Sequence, residues 1–322
     1  MPGEFDLIRR YFDSISGDHP SVQLGIGDDC ALLTASPNSQ LAISVDTLVE
    51  GIHFLPNIDP EHLAWRLIAS SVSDLAAMGA SPKWLTLACT LNAPSHQWLS
   101  AFSNGLAQAC HAYSLILIGG DTTSGKQQVL TAQVHGEVPL GRALKRSGAK
   151  IGDAIVVSGT LGDSRAGLAL LTSELKGESD YLLERYYRPT ARIALGEALQ
   201  SVANAAVDVS DGLLADLNHV LTASGVGAEI RVDALPLSSA ISEVAPESAE
   251  RWALTGGEDF ELCFTLPKER VSELQPISER LAIPLTVVGE ITPQQGITLL
   301  RSGQPVALPA SLGFNHFGNE HE

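Results

Sequence analysis

Six short stretches of the sequence place carboxylates beside glycine, serine or a second acid and next to apolar runs. They are GIGDDCALL (25–33), SVDTL (44–48), SVSDL (71–75), GGDTT (119–123), DVSDG (208–212) and GGEDF (256–260). Oxygen ligands without a spaced set of His or Cys suit magnesium better than zinc. Several carboxylates that converge repel one another unless cations neutralise them. The set therefore predicts a multi-magnesium site, and magnesium in proteins commonly accompanies phosphate groups.

Strand periodicity predicts the direction of the polar side chains in the second stretch. In LAISVDTLV (41–49), alternate residues point to opposite faces, so Ser44 and Asp46 lie opposite Leu41, Ile43 and Val45. A hydroxyl and a carboxylate therefore share one face near the end of a strand.

The stretch AAVDVSDGLLADL (205–217) repeats this arrangement and leads into a helix. Asp208 and Ser210 lie opposite Val207 and Val209, and Asp211 stands where the helix begins. The apolar stripe of that helix comprises Leu213, Leu214, Leu217, Val220 and Leu221. Asp211 alone could be a helix N-cap, and each aspartate taken singly could be a cap or an Asx-turn residue. Caps have no reason to recur at the ends of core strands, so the whole set favours a shared ligand.

Two further acids occupy notable positions. Asp74 lies within a helical pattern, where Asp is a poor helix former. Asp121 follows the apolar run LILIGG (115–120), and GDTTSGKQ (120–127) resembles the start of a P-loop. A P-loop requires Ser or Thr where Gln127 stands and a helix after it, whereas QVLTAQVHGEV (128–138) alternates like a strand. This stretch is therefore interpreted as the end of a strand and not as a P-loop.

The composition indicates a soluble globular protein with an acidic surface. Of its 322 residues, 44% are hydrophobic and 18% charged, and 37 acids against 20 bases give a net charge of −17. This charge repels nucleic acids and anionic membranes, and no apolar run approaches the roughly 18 residues of a membrane span. The start, MPGEFDLIRRYFDSI, predicts an amphipathic helix without signal-peptide character. We therefore expect a cytoplasmic protein that binds neither nucleic acid nor membrane. Cys30, Cys89, Cys110 and Cys263 are widely spaced and are expected to be buried, reduced thiols.

Strands and helices mix in both halves of the chain, which indicates two layered domains of the α/β (α+β layered) class. In the first half, strands are predicted at 22–33, 41–49, 84–91, 115–119 and 129–138, with helices at 60–78 and 96–113. After a stretch rich in glycine and basic residues at 138–153, the pattern restarts. It continues with strands at 154–159, 205–209, 227–232, 261–266 and 285–291, and with helices from 163, near 190–203, at 212–224 and near 268–281. We predict an N-terminal domain over 1–140 and a C-terminal α/β domain over 141–322.

Eight motifs stand in order along the chain: GIGDDCALL, ISVDTLVEGIHF, SDLAAMGASP, LIGGDTT, GRALKRSGAK, SGTLGDSRAGLALL, DVSDGLLADL and GGEDFELCF. This ordered set resembles the thiamine-monophosphate kinase family. That family belongs to a superfamily with aminoimidazole ribonucleotide synthetase and selenophosphate synthetase. The resemblance implies transfer of the γ-phosphoryl group of ATP to thiamine monophosphate, giving thiamine diphosphate. It also implies a homodimer in which the N-terminal mixed sheets pair into a β-barrel, with an α/β domain behind. By this resemblance, residues 1–140 form the ATP- and metal-binding and dimerisation domain.

The roles of family residues carry over to matching positions of this chain. The implied magnesium ligands are Asp29, Ser44, Asp46, Asp74, Asp121, Asp208 and Asp211, with the backbone carbonyl of Val45. The implied ATP contacts are Gly120, Asp121, Arg146 and Ser210. The implied thiamine monophosphate contacts are His53, Glu258 and Phe314. Asp46, Asp121 and Arg146 would take part directly in the phosphoryl transfer.

Two positions depart from the family pattern, and three contacts have simpler explanations. Val45 stands where relatives often have Thr, and Phe314 offers only its ring where Tyr would add a hydroxyl. Asp28 is interpreted as support for the turn that presents its neighbour. His53 could instead be a core-edge histidine, Glu258 a turn cap, and Phe314 C-terminal packing.

The chemistry of the acceptor explains why no general base is predicted. A phosphate monoester has a second pKa near 6, so its attacking oxygen is largely anionic at neutral pH. Two like charges 4 Å apart repel by about 4 kcal/mol at an effective dielectric constant near 20, and magnesium ions offset such repulsion. Arg146 would add a fixed cation, and an aromatic face would stabilise the thiazolium ring by roughly 0.5–2 kcal/mol. Two alternatives stay open: another ATP-using member of the superfamily with a different acceptor, and a non-catalytic nucleotide-binding or scaffold protein.

Overall fold

The computed structural model of the chain describes residues 4–12, 15 and 19–316. The chain forms two compact units. The first comprises the residues up to Leu75 together with Ala80–Ala143, and the second comprises Ala76–Gly79 and the residues from Leu144 onward. Helix α1 (Glu4–Tyr11) occupies the predicted amphipathic start, of which residues 1–3, 13 and 14 lie outside the described ranges.

The first unit is built on a four-stranded mixed sheet. Its strands are β3 (Ser39–Val49), β4 (Ser81–Leu91), β5 (Ile116–Ser124) and β6 (Val129–Pro139), in the spatial order β3-β6-β4-β5. Both β3 and β4 pair antiparallel with β6, whereas β4 and β5 run parallel. The long helices of this unit are α2 (Pro60–Ala77) and α3 (His96–Tyr113).

One face of this sheet is buried, and the long helices pack closely together. In β6, Leu130, Ala132 and Val134 alternate along the strand and are each fully buried. At Gly105 of α3, a Cβ atom would lie 2.2 Å from the carbonyl oxygen of Glu61 in α2. A larger residue therefore cannot occupy that crossing without moving one helix away from the other.

Local signals explain where two elements of this unit begin and end. The Oδ1 atom of Asp59 accepts the N–H of Glu61 at 2.8 Å, so Asp59 caps the start of α2. The prediction of one strand over 22–33 is wrong. Two short antiparallel strands, β1 (Val22–Leu24) and β2 (Leu32–Leu33), enclose the loop 25–31, in which Gly27 has a φ of 118°. Only glycine adopts such a φ readily, and the chain turns there instead of continuing as a strand.

The second unit contains a seven-stranded sheet with helices. Its strands are β7 (Asp153–Ser158), β8 (Ala205–Val209), β9 (Gly227–Arg231), β10 (Glu261–Pro267), β11 (Leu285–Thr292), β12 (Gly296–Arg301) and β13 (Gln304–Val306), in the order β13-β12-β9-β11-β7-β10-β8. Its helices are α4 (Asp163–Leu171), α5 (Asp180–Tyr187), α6 (Ile193–Leu199), α7 (Leu213–Ser224), α8 (Ser239–Val244), α9 (Ala249–Thr255) and α10 (Leu274–Leu281). The helix predicted near 268–281 begins as a 3₁₀ turn over Lys268–Glu273.

The core of the second unit confirms the predicted alternation of β8 and the apolar stripe of α7. Val207 and Val209 belong to one hydrophobic cluster, whereas Ala206 belongs to another. All five predicted stripe residues of α7 lie in the same cluster as these valines. The helix therefore covers one face of the strand that precedes it, which places the connecting loop 210–212 at the edge of the core.

The cysteine prediction is confirmed at three positions and wrong at one. Cys89, Cys110 and Cys263 are buried free thiols, whereas Cys30 is exposed because it lies in the loop between β1 and β2. Within the described ranges, every helix is too short or too polar to cross a membrane. The cytoplasmic location stays a prediction.

Candidate active site

A cavity of about 1050 Å³ in the first unit brings three of the predicted site residues together. Asp29 from the loop 25–31 and Gly120 and Asp121 from β5 all line it. At Gly120, a Cβ atom would lie 1.9 Å from the carbonyl oxygen of Leu87, so only glycine lets β5 pass this close to β4. Asp28 also lines the cavity, and its Oδ1 accepts the N–H of Asp29 at 2.8 Å, as expected of a residue that supports the turn.

The rest of the cavity wall is largely apolar, and it includes the buried thiol of Cys89. Ile26, Leu117 and Ile118 contribute apolar surface. Burial, and next the charge of Asp121, raise the pKa of the Cys89 thiol to about 12, so this thiol stays protonated at neutral pH. The carboxylates are therefore the groups that can bind a cation here, while the apolar wall suits the uncharged part of a ligand.

Two more of the predicted ligands meet between β3 and α2. The hydroxyl of Ser44 donates to Oδ2 of Asp74, so the Asp74 side chain turns toward the strand and not toward solvent. Ser44 pairs with Val134 of β6, and Asp46 pairs with the buried Ala132. Residues paired across antiparallel strands share a face, so Ser44 and Asp46 share one face of the sheet, as predicted. The Ser44–Asp74 hydrogen bond shows that α2 lies on this face.

The opposite side of β3 is open to solvent. Leu41, Ile43 and Val45 are 51%, 55% and 57% exposed, although the sequence pattern places apolar residues there. β3 is also an edge strand of the sheet. An exposed apolar stripe on an edge strand is a surface at which another chain can pack.

His53 follows β3 closely, and backbone contacts fix its tautomer. The backbone N–H of Val49 donates to Nδ1 of His53 at 3.1 Å, and the buried Arg66 donates to the His53 carbonyl oxygen at 3.3 Å. A neutral imidazole that accepts at Nδ1 carries its proton on Nε2. Nε2 is therefore the N–H donor of the ring, a type of group that binds phosphate oxygens.

In the second unit, backbone hydrogen bonds join four predicted residues into one cluster. The N–H of Glu258 donates to the carbonyl oxygen of Ser210 at 2.7 Å, and the N–H of Phe314 donates to that of Asp211 at 3.0 Å. At Gly257, a Cβ atom would lie 2.5 Å from the Ser210 carbonyl oxygen, so the loop 256–260 requires glycine at this approach. The DVSDG and GGEDF stretches, about fifty residues apart in sequence, thus form one surface.

Charges around Asp211 link this cluster to Arg146. Burial raises the pKa of the Asp211 carboxyl. The charges of His316, His219 and Arg146 lower it, and the charge of Glu258 raises it further. Arg146 is itself exposed. A cation bound at Asp211 would add to these positive charges and favour the ionised form of this partly buried carboxyl.

Two other predicted residues of this unit have different settings. Asp208 is 3% exposed in β8 and pairs with Leu262 of β10. Phe314 is 45% exposed, and its ring meets that of His316 edge-on at 4.8 Å between centroids. Among residues 4–12, 15 and 19–316, no group of three or more His, Cys, Asp or Glu side chains is arranged to hold a metal ion. The ligand set stays a prediction.

Asp216 is a structural residue that sequence reasoning missed. Its Oδ2 accepts the N–H groups of Ser210, Asp211 and Gly212, each at 3.0 Å, and the side chain is 2% exposed. Gly212, and not Asp211, occupies the N-cap position of α7, so the interpretation of Asp211 as a cap is wrong. The available signal was an acid in the first turn of a helix after an Asp-Gly pair.

Asp216 gives the fold a specific pH dependence. Burial, and next the charge of Asp211, raise its pKa from 3.8 to about 7. Between about pH 4 and pH 7 the folded chain therefore holds a proton that the unfolded chain has released, and stability falls as the pH rises through this window.

Asp216→Asn keeps an acceptor oxygen but cannot titrate. We expect wild type to lose up to about 4 kcal/mol of unfolding free energy relative to this variant from pH 4 to pH 7. Urea unfolding in a chelating buffer measures this, and parallel pH profiles would contradict it.

Comparison with known proteins identifies the class to which this fold and site belong. Residues 27–138 match the family model described as AIR synthase related protein, N-terminal domain, and residues 150–301 match AIR synthase related protein, C-terminal domain. Together these matches cover most of both units.

Individual relatives show to which family within this class the chain belongs. A thiamine-monophosphate kinase from Escherichia coli (strain K12) is 51% identical over 321 residues, which is 98% of each chain. The crystal structure of thiamine-monophosphate kinase from Stenotrophomonas maltophilia K279a is 41% identical, with a TM-score of 0.86 over 94% of this chain and 98% of that one. A structure of AaThiL complexed with AMPPCP and TMP is 35% identical, with a TM-score of 0.78 over 88% of this chain and 89% of that one. The chain belongs to the thiamine-monophosphate kinase family.

Proposed function

We propose that this protein transfers the γ-phosphoryl group of ATP to thiamine monophosphate, giving thiamine diphosphate and ADP. The observation that carries the proposal is the cavity in which Asp29, Gly120 and Asp121 meet. Its carboxylates suit cations that accompany phosphates, and its apolar wall suits the uncharged part of a nucleotide. Relatives of 51% and 41% identity carry the name of this kinase, and the complex with AMPPCP and TMP pairs an ATP analogue with the acceptor.

Magnesium is the cofactor that the donor set fits. We assign its binding to Asp29, Ser44, Asp46, Asp74, Asp121, Asp208 and Asp211, with the Val45 carbonyl. Hydroxyl, carboxylate and carbonyl oxygens are hard ligands. The hydrogen bond from Ser44 to Asp74 brings two of these oxygens together. When bound, magnesium neutralises phosphate charge and aligns the transfer.

The chain's own groups bind and orient the two substrates. Gly120, Asp121, Arg146 and Ser210 are assigned to ATP. His53 would donate from Nε2 to the phosphate of thiamine monophosphate, while Glu258 and the half-exposed ring of Phe314 would face its cationic ring. The acceptor oxygen needs no general base because the phosphate monoester is already largely ionised at neutral pH.

The working form is proposed to be a homodimer. A second copy packed on Leu41, Ile43 and Val45 would cover the exposed apolar stripe of β3. A closed barrel of two such sheets about a two-fold axis would require both edge strands, β3 and β5, to pair with the second copy.

The reaction is tested by its product. The full-length chain is incubated with ATP, magnesium chloride and thiamine monophosphate, and the thiamine species are identified by mass spectrometry. We expect a species one phosphoryl group heavier than the acceptor, together with ADP, and no such species when EDTA is added. ATP consumption without thiamine diphosphate would favour the alternative of a superfamily member with another acceptor. Absence of any ATP consumption would favour the alternative of a non-catalytic nucleotide-binding or scaffold protein.

The assignment of His53 predicts different effects for two substitutions. In His53→Gln, the amide nitrogen can replace the Nε2 donor, whereas His53→Ala removes it. We expect the KM for thiamine monophosphate to rise about tenfold in the alanine variant and about threefold in the glutamine variant, since a hydrogen bond to a charged group contributes about 1.5–3 kcal/mol at most. Steady-state kinetics with each substrate varied in turn measures this. Equal kinetics in all three proteins would show that His53 is an ordinary core-edge histidine.

A further inference from the structure

A group of buried charges adjoins Glu258 in the second unit, and the proposed function gives it no role. Asp259 is 1% exposed and Glu261 is fully buried. Arg185 donates to Oε1 of Glu261 at 3.1 Å and to the Asp259 carbonyl oxygen at 3.2 Å, and Arg192 donates to Oε2 of Glu261 at 2.6 Å. Buried charges that are paired this way hold the backbone around them in one arrangement.

The Asp259 carboxylate is bound to the beginning of a helix. Its Oδ2 accepts the N–H of Gly162 at 2.6 Å, and its Oδ1 accepts the N–H of Ser164 at 3.2 Å, both at the start of α4. A carboxylate satisfies N–H groups that have no partner within the helix and lies at the positive end of its dipole. Gly162 has a φ of 83°, and a Cβ there would lie 2.8 Å from the backbone nitrogen of Ala253. This end of the helix therefore packs closely against α9 and has room only for glycine at position 162.

The residues on either side of Asp259 have a strained backbone. Glu258 has a φ of 66° and Phe260 a φ of 52°, values that non-glycine residues rarely adopt. Their N–H groups donate to the carbonyl oxygens of Ser210 at 2.7 Å and Val209 at 2.9 Å. Such strain persists only where the surroundings fix the chain, and it concentrates at functional sites.

We propose that Asp259 is a positioning residue, whose carboxylate binds the start of α4 and thereby holds the loop 256–260 in the conformation that presents Glu258 to thiamine monophosphate. Arg185 assists through the Asp259 carbonyl. The inference rests on the proposed function because it takes Glu258 as a substrate contact.

Kinetics of four variants tests this role. Asp259→Asn replaces an acceptor oxygen with an amide that faces a backbone N–H, so we expect the KM for thiamine monophosphate to rise about tenfold, with kcat and the KM for ATP within about threefold of wild type. Glu258→Gln should show the same pattern. The double variant should be no worse than Glu258→Gln alone because both changes remove one contact. Arg185→Lys, which keeps the charge, should raise the same KM by a smaller factor.

Asp153→Asn is the matched control. Asp153 is 3% exposed in the same unit and also accepts hydrogen bonds, from the Lys150 N–H and from Asn204. The Asp153→Asn variant shows the effect of general destabilisation alone. Its KM for thiamine monophosphate should equal that of wild type. An unchanged KM in Glu258→Gln would reject the substrate role of Glu258 and hence the proposed contact. Two results would overturn the positioning role, each with a raised KM in Glu258→Gln. In the first, Asp259→Asn is folded and has the wild-type KM for thiamine monophosphate. In the second, the KM increases of the two single variants multiply in the double variant. If Asp259→Asn does not fold, the KM of Arg185→Lys decides.

Discussion

Asp121→Asn is expected to lower kcat by about 10³-fold while the protein stays folded. Asp121 lines the cavity beside Gly120 and Asp29, and its carboxylate is assigned to both magnesium and ATP. An amide of the same shape keeps one weak oxygen ligand but loses the negative charge. Magnesium ions contribute several kcal/mol to the stabilisation of transferring phosphoryl groups, which corresponds to about three powers of ten in rate. Asp46→Asn should behave in the same way. Thiamine diphosphate formation and circular dichroism measure activity and folding.

Asp59→Asn is the matched control for these variants. Asp59 lies in the same unit and accepts an N–H at the start of α2, a role that asparagine fills equally well. Its activity should stay within about twofold of wild type. Near-normal turnover in both Asp121→Asn and Asp46→Asn would reject the carboxylate–magnesium role.

Ile43→Asp is expected to convert a dimer into monomers. Ile43 is 55% exposed in the centre of the apolar stripe of β3. In a two-fold interface the substitution buries two unpaired charges, each of which costs about 3–5 kcal/mol, so the dimer dissociation constant should rise by at least roughly 10⁴-fold. Analytical ultracentrifugation of wild type should give twice the mass of one chain, and the variant should give the mass of one chain.

Ile151→Asp serves as the control for this surface. Ile151 is 62% exposed in the second unit, so the same change there adds the same charge to another apolar position. This variant should keep the mass of wild type. A monomeric wild type, or a variant at position 43 that stays dimeric, would reject the proposed interface.

The sequence predicted long elements better than short ones. The helices predicted at 60–78 and 96–113 are observed at Pro60–Ala77 and His96–Tyr113, because their apolar pattern is long and their caps are local. Helices α5, α8 and α9 were missed because they span only 8, 6 and 7 residues, too few for a clear period. Strands β12 and β13 were also missed, and their burial is only partial.

The candidate site was predictable where acids mark their own stretch and unpredictable where partners are distant. Glycines signal the turns beside Asp29 and Glu258. Asp121, in contrast, lies within β5 (Ile116–Ser124), which continues past the strand end predicted at 119. The role of Asp259 could not be recognised, since its partner Gly162 lies 97 residues away and only the folded chain brings the two together. The exposure of Val45 could not be predicted either. An apolar strand face has the same sequence pattern whether helices of the same chain or a second chain would cover it.

The most direct measurement is a crystal structure of the full-length chain with a non-hydrolysable ATP analogue, magnesium and thiamine monophosphate. We expect magnesium ions about 2.1 Å from carboxylate oxygens of Asp121 and of at least one of Asp29, Asp46 and Asp74, with nucleotide phosphate oxygens completing the coordination. Magnesium held by phosphates and water alone, with these four side chains turned away from it, would contradict the role assigned to the carboxylates.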